Sequence, residues 1–481
     1  MAQLGTPQRG IQVPGLAEPR EPWVLPDIEP ATGEVLGEYR GGGALDALAA
    51  VDAAERALPG WGALPRPRRA QVLLEIAGEL RGDAVAEELA TLTSRETGKR
   101  LAEARAEVGL AAAFFEWFAA AIQGRADQVV RAVAGVEHRV GMQPLGIVVA
   151  ITPWNFPLSI PARKIAPALA AGCTVLCKPS EVAAGASLRF TEVVARHLPE
   201  GALCTMLGDG EALTRAWLGD PRVRGVTFTG STRVGLLVAA QAQPRLQRCL
   251  LELGGNAPVI VLDDAEPDPA VELIAGAKYR NNGQSCIAAN TAWVPRRMIS
   301  AITDGLVAHA EALRLGDPLD VATTLGPLAL PTDPGRVEEL AAEAARHGAT
   351  VHRSRAAKPE RGHFTLPAIV VDPPRDARLV KDESFGPILP LLPYDDLDEV
   401  VQLTRRSALG LAAYVAGADT ERAISVARQL DVGIVGVNTA TPNTPQIPFA
   451  GRKLSGLGVE GGQLGLEPFL APQTIAVSTS P

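Results

Sequence analysis

The sequence predicts an α/β fold built on parallel sheets and divided into at least two units. Its 481 residues exceed what one hydrophobic core usually organises. From Gly146 onward, short apolar runs alternate with amphipathic stretches, and the alternation resumes from Ala289. An order of strand, helix and strand indicates parallel sheets with helices on their faces.

The elements follow in order along the chain. Residues 44–122 are rich in Ala and Leu with helical periodicity, which predicts outer helices. The first alternation runs through 146–152, 163–171, 174–178, 187–197, 202–207, 211–218, 225–228 and 232–240. The second has strands near 291–294, 369–371 and 434–437. No internal repeat or flexible linker separates the two units, so we expect them to pack closely with a cleft between them.

Charge and composition favour a soluble protein and disfavour polyanionic partners. The formal net charge is −8, and acidic and basic residues are interspersed, so no basic surface for nucleic acid or an anionic membrane is expected. The first thirty residues contain six prolines and lack the apolar run of a secretory signal, and no later segment is expected to span a membrane. We therefore expect a cytoplasmic location.

Five cysteines occur, at positions 173, 177, 204, 249 and 286. All except Cys286 lie in apolar runs, which favours buried, reduced thiols. Cys173 and Cys177 have the spacing of a metal-ligand pair, but no second Cys or His pair lies near them in the sequence. No metal site is predicted.

Cys286 and Glu252 are the main candidates for catalysis. Cys286 ends the run Asn-Asn-Gly-Gln-Ser-Cys, and Glu252 lies 34 positions before it in Leu-Glu-Leu-Gly-Gly-Asn. A thiolate adds to a carbonyl, and a nearby carboxylate can then activate water to release the thioester. The six histidines fall outside these segments, so mechanisms with a histidine base are disfavoured. The pair indicates two-step covalent chemistry on an aldehyde.

Asn155 lies in Thr-Pro-Trp-Asn-Phe-Pro, directly after the first predicted strand of the alternation. Ligands of open parallel sheets bind at the carboxyl ends of strands. The Asn155 amide could donate to an oxygen that becomes negative during attack. The alternative is a turn residue that bonds its own backbone, and this position alone favours that alternative.

Two further segments could hold a nucleotide. Lys178 ends the next predicted strand, and only seven of the 46 basic residues are lysines. Its ammonium suits ribose or phosphate oxygens, and Glu181 suits ribose hydroxyls, although a solvated charge pair is the alternative. Gly230 and Ser231 join a strand to a helix, where backbone N–H groups suit pyrophosphate. Helix capping by Ser231 explains the same residues, and the three-glycine dinucleotide fingerprint is absent.

Taken together, these segments resemble the aldehyde dehydrogenase superfamily of NAD(P)-dependent enzymes over nearly the whole chain. The motifs that carry the resemblance are 152–157, 178–181, 228–231, 252–256, 283–286, 383–387 and 448–449. The resemblance implies an aldehyde dehydrogenase-like fold with a parallel-sheet cofactor-binding domain, an α/β catalytic domain and a small β oligomerisation arm. The implied boundaries are 1–123 with 143–252, then 253–454, and 124–142 with 455–481.

The resemblance also implies a role for each matching residue. Cys286 is the implied nucleophile, Glu252 the general base, and Asn155 with the Cys286 N–H the oxyanion site. The implied cofactor-binding residues are Thr152, Trp154, Lys178, Glu181, Gly230, Ser231, Leu253, Glu383 and Phe385. Among these, Glu383 would hold the nicotinamide ribose and Phe385 would lie beside the nicotinamide. Because family members that transfer the acyl group to coenzyme A typically lack the Glu, hydrolysis to a carboxylic acid is favoured.

Two arginines narrow the choice of substrate to an aldehyde with an anionic tail. Arg163 and Arg280 match positions where succinate-semialdehyde dehydrogenases are understood to bind the substrate carboxylate, and Asn443 and Thr444 lie in a loosely matching loop. A pair of guanidinium groups would hold an anionic tail and direct the aldehyde toward Cys286. The alternative for each arginine is a neighbouring carboxylate or solvent. Glutarate semialdehyde, a phosphonate aldehyde, a general aldehyde or a non-catalytic protein with this fold remain alternatives.

Three positions depart from the family pattern or bear on cofactor choice. Ala288 stands where redox-regulated semialdehyde dehydrogenases carry a second cysteine, so no disulfide switch is expected there. Ala450 replaces a usual glycine. A carboxylate at Glu181 would repel a 2′-phosphate, which favours NAD while leaving NADP possible. The family implies a homodimer or homotetramer.

Overall fold

The computed structural model describes residues 8–479 and organises them around two seven-stranded sheets. The helices of this part of the chain are α1 Ala44–Gly62, α2 Arg66–Leu80, α3 Asp83–Thr97, α4 Leu101–Gln123, α5 Ser159–Ala171, α6 Ala184–Ala195, α7 Gly210–Gly219, α8 Thr232–Ala242, α9 Pro267–Tyr279, α10 Ile299–Ala312, α11 Asp333–Arg346, α12 Arg378–Lys381, α13 Leu397–Arg406 and α14 Thr420–Ala427. Short 3-10 helices lie at Gln243–Arg245, Arg280–Gly283, Arg296–Met298 and Leu464–Phe469.

The strands are numbered in chain order. They are β1 Gln8–Arg9, β2 Ile11–Gln12, β3 Trp23–Glu29, β4 Glu34–Gly41, β5 Gln128–Val133, β6 Val136–Pro144, β7 Ile147–Ile151, β8 Thr174–Lys178, β9 Leu203–Met206, β10 Val223–Thr229, β11 Arg248–Glu252, β12 Ala257–Val261, β13 Ala289–Pro295, β14 Thr350–Arg353, β15 Ala368–Val371, β16 Ile388–Tyr394, β17 Leu409–Gly410, β18 Ala412–Ala416, β19 Ile434–Val437, β20 Pro448–Phe449, β21 Arg452–Lys453, β22 Gly456–Leu457, β23 Glu460–Gly461 and β24 Leu470–Ser478.

The first large sheet has the order β2-β9-β8-β7-β10-β11-β22. Its five central strands are parallel, and β2 and β22 pair antiparallel at the two edges. One face packs against α2, α4 and α5 through an aromatic and aliphatic core, and the other packs against α1, α7 and α8. The central strands are buried on both faces, as expected for a parallel sheet covered by helices.

The second large sheet has the order β14-β15-β16-β13-β12-β18-β19. Every pairing is parallel except the one between β14 and β15. Two apolar clusters cover its faces. The predicted strands near 291–294, 369–371 and 434–437 correspond to β13, β15 and β19, and the predicted α/β class with parallel sheets is confirmed.

A small antiparallel sheet has the order β24-β6-β5 and joins the end of the described chain to residues 128–144. The predicted arm also included residues 455–469. Those residues pack elsewhere, because β22 pairs with β11 and the Leu464–Phe469 turn contacts α5. The sequence did not indicate the β3–β4 hairpin either, whose antiparallel strands form a further small sheet with β1. The division into domains remains a prediction.

Helix α4 is the one helix in the described chain that is long and apolar enough to cross a membrane. Half of its most apolar stretch is buried inside the protein. Phe114, Phe115 and Phe118 are fully buried and belong to the core against the first sheet. The helix therefore packs as a core helix.

Candidate functional site

The turn before Cys286 is strained and tightly bonded. Asn281, Asn282 and Gly283 all have positive φ, at 51°, 58° and 79°. Position 283 cannot hold a residue with a side chain, because a Cβ there would lie 2.4 Å from the Gly386 carbonyl oxygen. For the two asparagines the left-handed conformation costs about 1 kcal/mol each. Their buried side-chain bonds offset that cost.

Those bonds join the turn to three other segments. The Asn281 amide donates to the carbonyl oxygens of Asn155 and Gln284, each at 2.9 Å. The Asn282 amide donates to the carbonyls of Gly98 and Pro327 at 2.9 and 3.0 Å. Cys286 is thereby fixed in the short loop between this turn and β13.

The structure brings Asn155 next to the cysteine loop. Its side-chain nitrogen donates to the Gln284 carbonyl at 3.0 Å, two residues before Cys286. The NH₂ group has two hydrogens, so one donor is left for another acceptor. Asn155 does not bond its own turn among the described contacts, and the alternative of a purely local turn residue is disfavoured.

A buried ion pair holds the Asn155 loop in place, and the sequence did not reveal it. Lys99 and Glu107 are both buried and contact each other. Lys99 also donates to the Asn155 carbonyl at 2.9 Å, and Glu107 accepts from the Leu158 and Ser159 backbone N–H groups at 2.9 and 3.1 Å. Glu107 thus caps the start of α5. The low number of lysines was the only available signal.

Glu252 ends β11 and is 3% exposed. Neither of its carboxyl oxygens has a hydrogen-bond partner among the described residues. Burial, and then the nearby carboxylate of Glu460, hold its pKa well above the ordinary value, while Lys164 and Arg163 act in the opposite direction. An unpaired buried carboxyl group of this kind is typical of a site that meets a ligand or water.

Lys164 and Glu460 form a second buried ion pair that sequence reasoning missed. The ammonium lies 2.5 Å from Glu460 Oε1 and donates to Thr227 Oγ1 at 2.9 Å. Burial lowers the pKa of Lys164, and Glu460 and Glu252 raise it. Glu460 is far from Glu252 in the sequence, so only the fold brings the three groups together.

Cys286 lies where two cavities meet. The first spans about 540 Å³ of space between protein atoms, part of it open to solvent, and is lined by Glu252, Arg163, Arg280, Asn443 and Phe449, among others. The second spans about 720 Å³, also partly open to solvent, and is lined by Trp154, Gly230, Ser231, Glu383 and Phe385, among others. Cys286, Ile160, Thr229 and Leu253 line both. The half-buried thiol is therefore accessible from two directions.

The charges around the thiol oppose its ionisation. Burial, with smaller contributions from Glu383 and Glu252, raises the pKa of Cys286 to about 12, and Arg163 opposes that rise. The other cysteines lie outside both cavities. Cys173, Cys177 and Cys204 are buried as predicted, whereas Cys249 is only half-buried.

The predicted cofactor residues lie at or after the carboxyl ends of strands in the first sheet, except Glu383 and Phe385, which precede β16 of the second sheet. Trp154, Gly230, Ser231, Leu253, Glu383 and Phe385 line the second cavity. Thr152, Lys178 and Glu181 follow or end the neighbouring strands β7 and β8 and are outside the residues that line it. The Thr152 N–H donates to the Lys178 carbonyl at 3.1 Å, so these strand ends are adjacent.

The charge pair of Lys178 with Glu181 and the helix cap by Ser231, which were the alternatives to cofactor binding, are both present in the structure. The Lys178 ammonium contacts Glu181 as an ion pair. Ser231 is the N-cap of α8, and its hydroxyl accepts from the Val234 N–H at 3.4 Å. The cap uses only one of the unpaired backbone donors at the start of the helix.

The second cavity fits a dinucleotide. Glu383 Oε1 is buried without a partner and so presents a free acceptor for ribose hydroxyls. The start of α8 presents backbone N–H groups and a positive dipole end to a pyrophosphate. At Gly235 on this helix a Cβ would lie 2.3 Å from Leu253 Cδ2, so a side chain there would require Leu253 to move.

The first cavity is suited to an anionic ligand. Arg163 is buried, lies 4.4 Å from the Phe449 ring and 5.2 Å from the Phe114 ring, and its Nε has no hydrogen-bond partner. Its closest carboxylate is Glu460 at 3.9 Å. Arg280 lies over the Phe156 ring at 5.6 Å. Neither guanidinium donates a hydrogen bond to a carboxylate among the described residues. Arg163 does lie within ion-pair distance of Glu460, as one alternative expected, whereas Arg280 forms no ion pair with a described residue.

Asn443 and Thr444, the two candidate residues in the loosely matching loop, lie in different environments. Asn443 lines the first cavity, and its Oδ1 is buried without a partner. Thr444 is exposed and does not line the cavity. Pro442 and Pro445 flank this pair and restrict the loop backbone.

Comparisons with known proteins agree with this geometry. Residues 18–475 match the aldehyde dehydrogenase family. The chain is 40% identical to the glutarate-semialdehyde dehydrogenase of Pseudomonas aeruginosa, over 92% of this chain and 91% of that protein. It is 39% identical to the NADP(+) succinate-semialdehyde dehydrogenase of Escherichia coli, over 92% of each chain. The crystal structure of succinate-semialdehyde dehydrogenase from Burkholderia pseudomallei superposes with a TM-score of 0.94 at 36% identity, over 99% of this chain and 100% of that one.

The high pKa of the Cys286 thiol predicts how the ligand-free protein reacts with iodoacetamide. Only the thiolate is nucleophilic, so alkylation of Cys286 should accelerate by about tenfold per pH unit and show no plateau below pH of about 10. The rate is measured by peptide mass spectrometry, with half-buried Cys249 as the internal comparison. A plateau reached near neutral pH would contradict the prediction.

Proposed function

Since the chain belongs to the aldehyde dehydrogenase family, we propose that it oxidises an anionic semialdehyde, such as succinate semialdehyde, to the carboxylic acid through a thioester on Cys286. As a member of that family it is an NAD(P)-dependent aldehyde dehydrogenase. The observation that carries the proposal is the position of Cys286 between a cavity with two arginines and a cavity with the features of a dinucleotide site.

The first step is addition of the Cys286 sulfur to the aldehyde carbon. The thiol proton passes to solvent water, the C–S bond forms, and the carbonyl electron pair moves to oxygen. The free hydrogen of the Asn155 amide and the Cys286 N–H are the proposed donors to this alkoxide. Because Lys99 and Asn281 fix the Asn155 backbone, the donor is oriented before the substrate arrives.

The second step converts the adduct to a thioester. When bound, NAD(P) supplies the acceptor for the hydride that leaves the former aldehyde carbon. Glu383 and Phe385 are the proposed contacts on the nicotinamide side, Gly230 and Ser231 those at the pyrophosphate, and Lys178 and Glu181 those at the adenosine ribose. Trp154 packs edge-on against Phe385, with ring centroids 5.6 Å apart, and so limits its movement.

The third step releases the acid. Glu252 takes a proton from water, the resulting hydroxide attacks the thioester carbon, and the C–S bond breaks to restore the thiolate. Glu252 must be ionised to accept that proton, and its buried position opposes ionisation. Lys164 and Arg163 favour the ionised form, so they support this role.

The anionic tail of the substrate is the finer part of the proposal. Arg163 and Arg280 lie in the same cavity as Cys286 and have guanidinium donors free for a carboxylate. Asn443 adds an amide to the same wall. The relatives named for glutarate and succinate semialdehyde support this substrate class.

We also propose a cytoplasmic homodimer or homotetramer. The β24-β6-β5 sheet has open edges, and the side chains of β5 are all exposed, including Val129 and Val133. An apolar, unpaired edge strand of this kind invites pairing with another chain. A second copy of this protein is the occupant that the family resemblance favours.

Removal of one arginine should abolish the preference for charged substrates. Arg280→Ala loses charge-assisted hydrogen bonds worth about 1.5–3 kcal/mol, so kcat/KM for succinate semialdehyde should fall by about ten- to a hundredfold, mainly through KM. Oxidation of butyraldehyde should change little. Arg346→Ala, an exposed residue at the end of α11, is the matched control. Equal effects on both aldehydes would refute the carboxylate contact.

Replacement of the general base should leave the enzyme acylated. Glu252→Gln keeps the side-chain size but cannot take a proton from water, so thioester hydrolysis should slow by about a hundredfold or more. Rapid mixing should then show a burst of reduced cofactor close to one per active site, followed by slow turnover. Steady-state rates equal to those of the unmodified protein would exclude Glu252 as the base.

Charges on strand β5 should disrupt the assembly. The double variant Val129→Glu, Val133→Glu places carboxylates on the exposed strand, and its mass in sedimentation velocity should fall relative to the unmodified protein. Val321→Glu, an exposed valine in a loop, is the control that should not change the mass. A mass equal to the 50.3 kDa chain for the unmodified protein would itself disprove the oligomer.

A further inference from the structure

Phe385 has a backbone conformation that an aromatic residue rarely adopts. Its φ is 43°, in the left-handed region, where a bulky side chain lies too close to its own backbone. Such a conformation persists only where the surroundings fix it. Phe385 lines the second cavity with Cys286, and its ring lies edge-on against Trp154. The contacts that hold its backbone therefore determine where an aromatic ring lies in this cavity.

One side chain, Arg336 on α11, binds the backbone on both sides of Phe385. Its guanidinium donates to the carbonyl oxygen of Ser384 and, at 3.4 Å, to that of Phe385. These carbonyls belong to the two planar peptide groups that flank the Phe385 Cα, so the φ and ψ of Phe385 set their relative orientation. A guanidinium with fixed N–H directions fits only a narrow range of such orientations. Arg336 thus holds Phe385 in its left-handed conformation.

Arg336 is itself held in place on α11. Its Nε and Nη2 both donate to Asp333 Oδ1 at 3.1 Å, and Asp333 is buried in the first turn of the helix. The helix lies directly against the segment that contains Phe385, because a Cβ at Gly386 would be 2.7 Å from Val337 Cγ2. The guanidinium is therefore oriented by a helix that packs on the same segment.

The other bonds of this segment hold Ser384 and do not reach Phe385. The Ser384 N–H donates to Asn290 Oδ1 at 2.8 Å, and the Ser384 hydroxyl accepts from Lys278 at 3.0 Å. Among the described hydrogen bonds, the one from Arg336 is the only bond to the Phe385 carbonyl. Loss of Arg336 should therefore release Phe385 and leave Ser384 in place.

We infer that Arg336 is a positioning residue for hydride transfer, which acts by holding Phe385 in its left-handed conformation so that the ring forms a wall of the cofactor cavity. The inference rests on the proposed role of Phe385 beside the nicotinamide. Without Arg336, Phe385 returns to an ordinary conformation and its ring turns away from Trp154. A bound nicotinamide then lacks the surface that fixes its orientation toward Cys286.

The first test is structural and needs no cofactor. Arg336→Met keeps the aliphatic part of the side chain and removes both donors. In a crystal structure of the ligand-free variant, Phe385 should have a negative φ, and its ring should leave the contact with Trp154, whose centroid is 5.6 Å away in the unmodified protein. A variant that keeps the positive φ and this contact would overturn the inference.

The second test follows the first turnover after rapid mixing of enzyme and NAD with succinate semialdehyde. Arg336→Met should slow it by about ten- to a hundredfold, because small displacements at a reacting centre have effects of this size. Deuterium in place of the aldehyde hydrogen should slow it further, since hydride transfer is the affected step. Alkylation of Cys286 by iodoacetamide in the ligand-free variant should not change. Equal changes in both rates, or a slow first turnover without an isotope effect, would contradict the positioning role.

Arg336→Lys separates geometry from charge. Arg336 also opposes the rise in the pKa of Glu383 that burial causes, so its removal takes away a charge as well as two donors. Lysine keeps the charge but lacks the planar fork that binds two carbonyls in a fixed orientation. The first turnover of this variant should remain slow. Full recovery would show that the charge alone matters and would overturn the inference.

Arg353→Met is the matched control. The exposed Arg353 pairs with Glu338 on the same helix and makes no described contact with Phe385. This variant should match the unmodified protein in both tests. If Arg336→Met does not fold, Asp333→Ala removes the group that orients the guanidinium, and it must slow the first turnover with the same isotope effect. An unchanged first turnover in Asp333→Ala would then count against the inference.

Phe385→Ala distinguishes a failure of this inference from a failure of the proposed function. It removes the ring itself, so the first turnover should slow whether or not Arg336 acts. If Phe385→Ala oxidises the aldehyde as fast as the unmodified protein, the proposed role of Phe385 is wrong. If Phe385→Ala is slow and Arg336→Met is not, only the role of Arg336 is wrong.

Discussion

The left-handed turn at Asn281, Asn282 and Gly283 is the constraint on which the site depends. It reverses the chain between α9 and β13, and its buried amides bond carbonyls from the Asn155 loop, from Gly98 and from Pro327. Two seven-stranded sheets thus meet at one loop, and Cys286 lies at its end. A change of a few tenths of an ångström there would alter both cavities, because Gly283 already packs against the Gly386 carbonyl.

Buried ion pairs stabilise the segments around that loop. Lys99 with Glu107 fixes the Asn155 backbone and the start of α5, and Lys164 with Glu460 lies behind Glu252. Buried pairs seldom add much net stability, because the desolvation of both charges offsets their attraction. Here the ion pairs keep the surrounding segments in position. Loss of one partner would leave the other charge buried without a counter-charge, and the neighbouring residues would shift.

The helices, strands and motifs that depend on local sequence patterns could be predicted from the sequence. Strand and helix alternation located β7 to β10 and α5 to α8 within a few residues, because apolar period and chain turns determine these elements locally. Cys286, Glu252 and Asn155 were proposed from the sequence because their motifs are compact, and the structure places all three on the walls of the two adjoining cavities. The Lys99–Glu107 and Lys164–Glu460 pairs were missed because each joins residues whose proximity exists only after folding. The segment 455–469 was assigned to the arm for the same reason, since its pairing with β11 spans some 200 residues.

The protonation of the thiol links the two cavities. Burial and the carboxylates of Glu383 and Glu252 keep Cys286 protonated, and Arg163 opposes them. Each of these three charged groups is also a proposed contact of a ligand or of the hydrolytic water. Hydrogen bonds donated to Glu383 spread its negative charge and so favour the thiolate, whereas an anion bound to Arg163 removes a charge that favours it. The reactivity of the cysteine therefore depends on the charged groups that line both cavities.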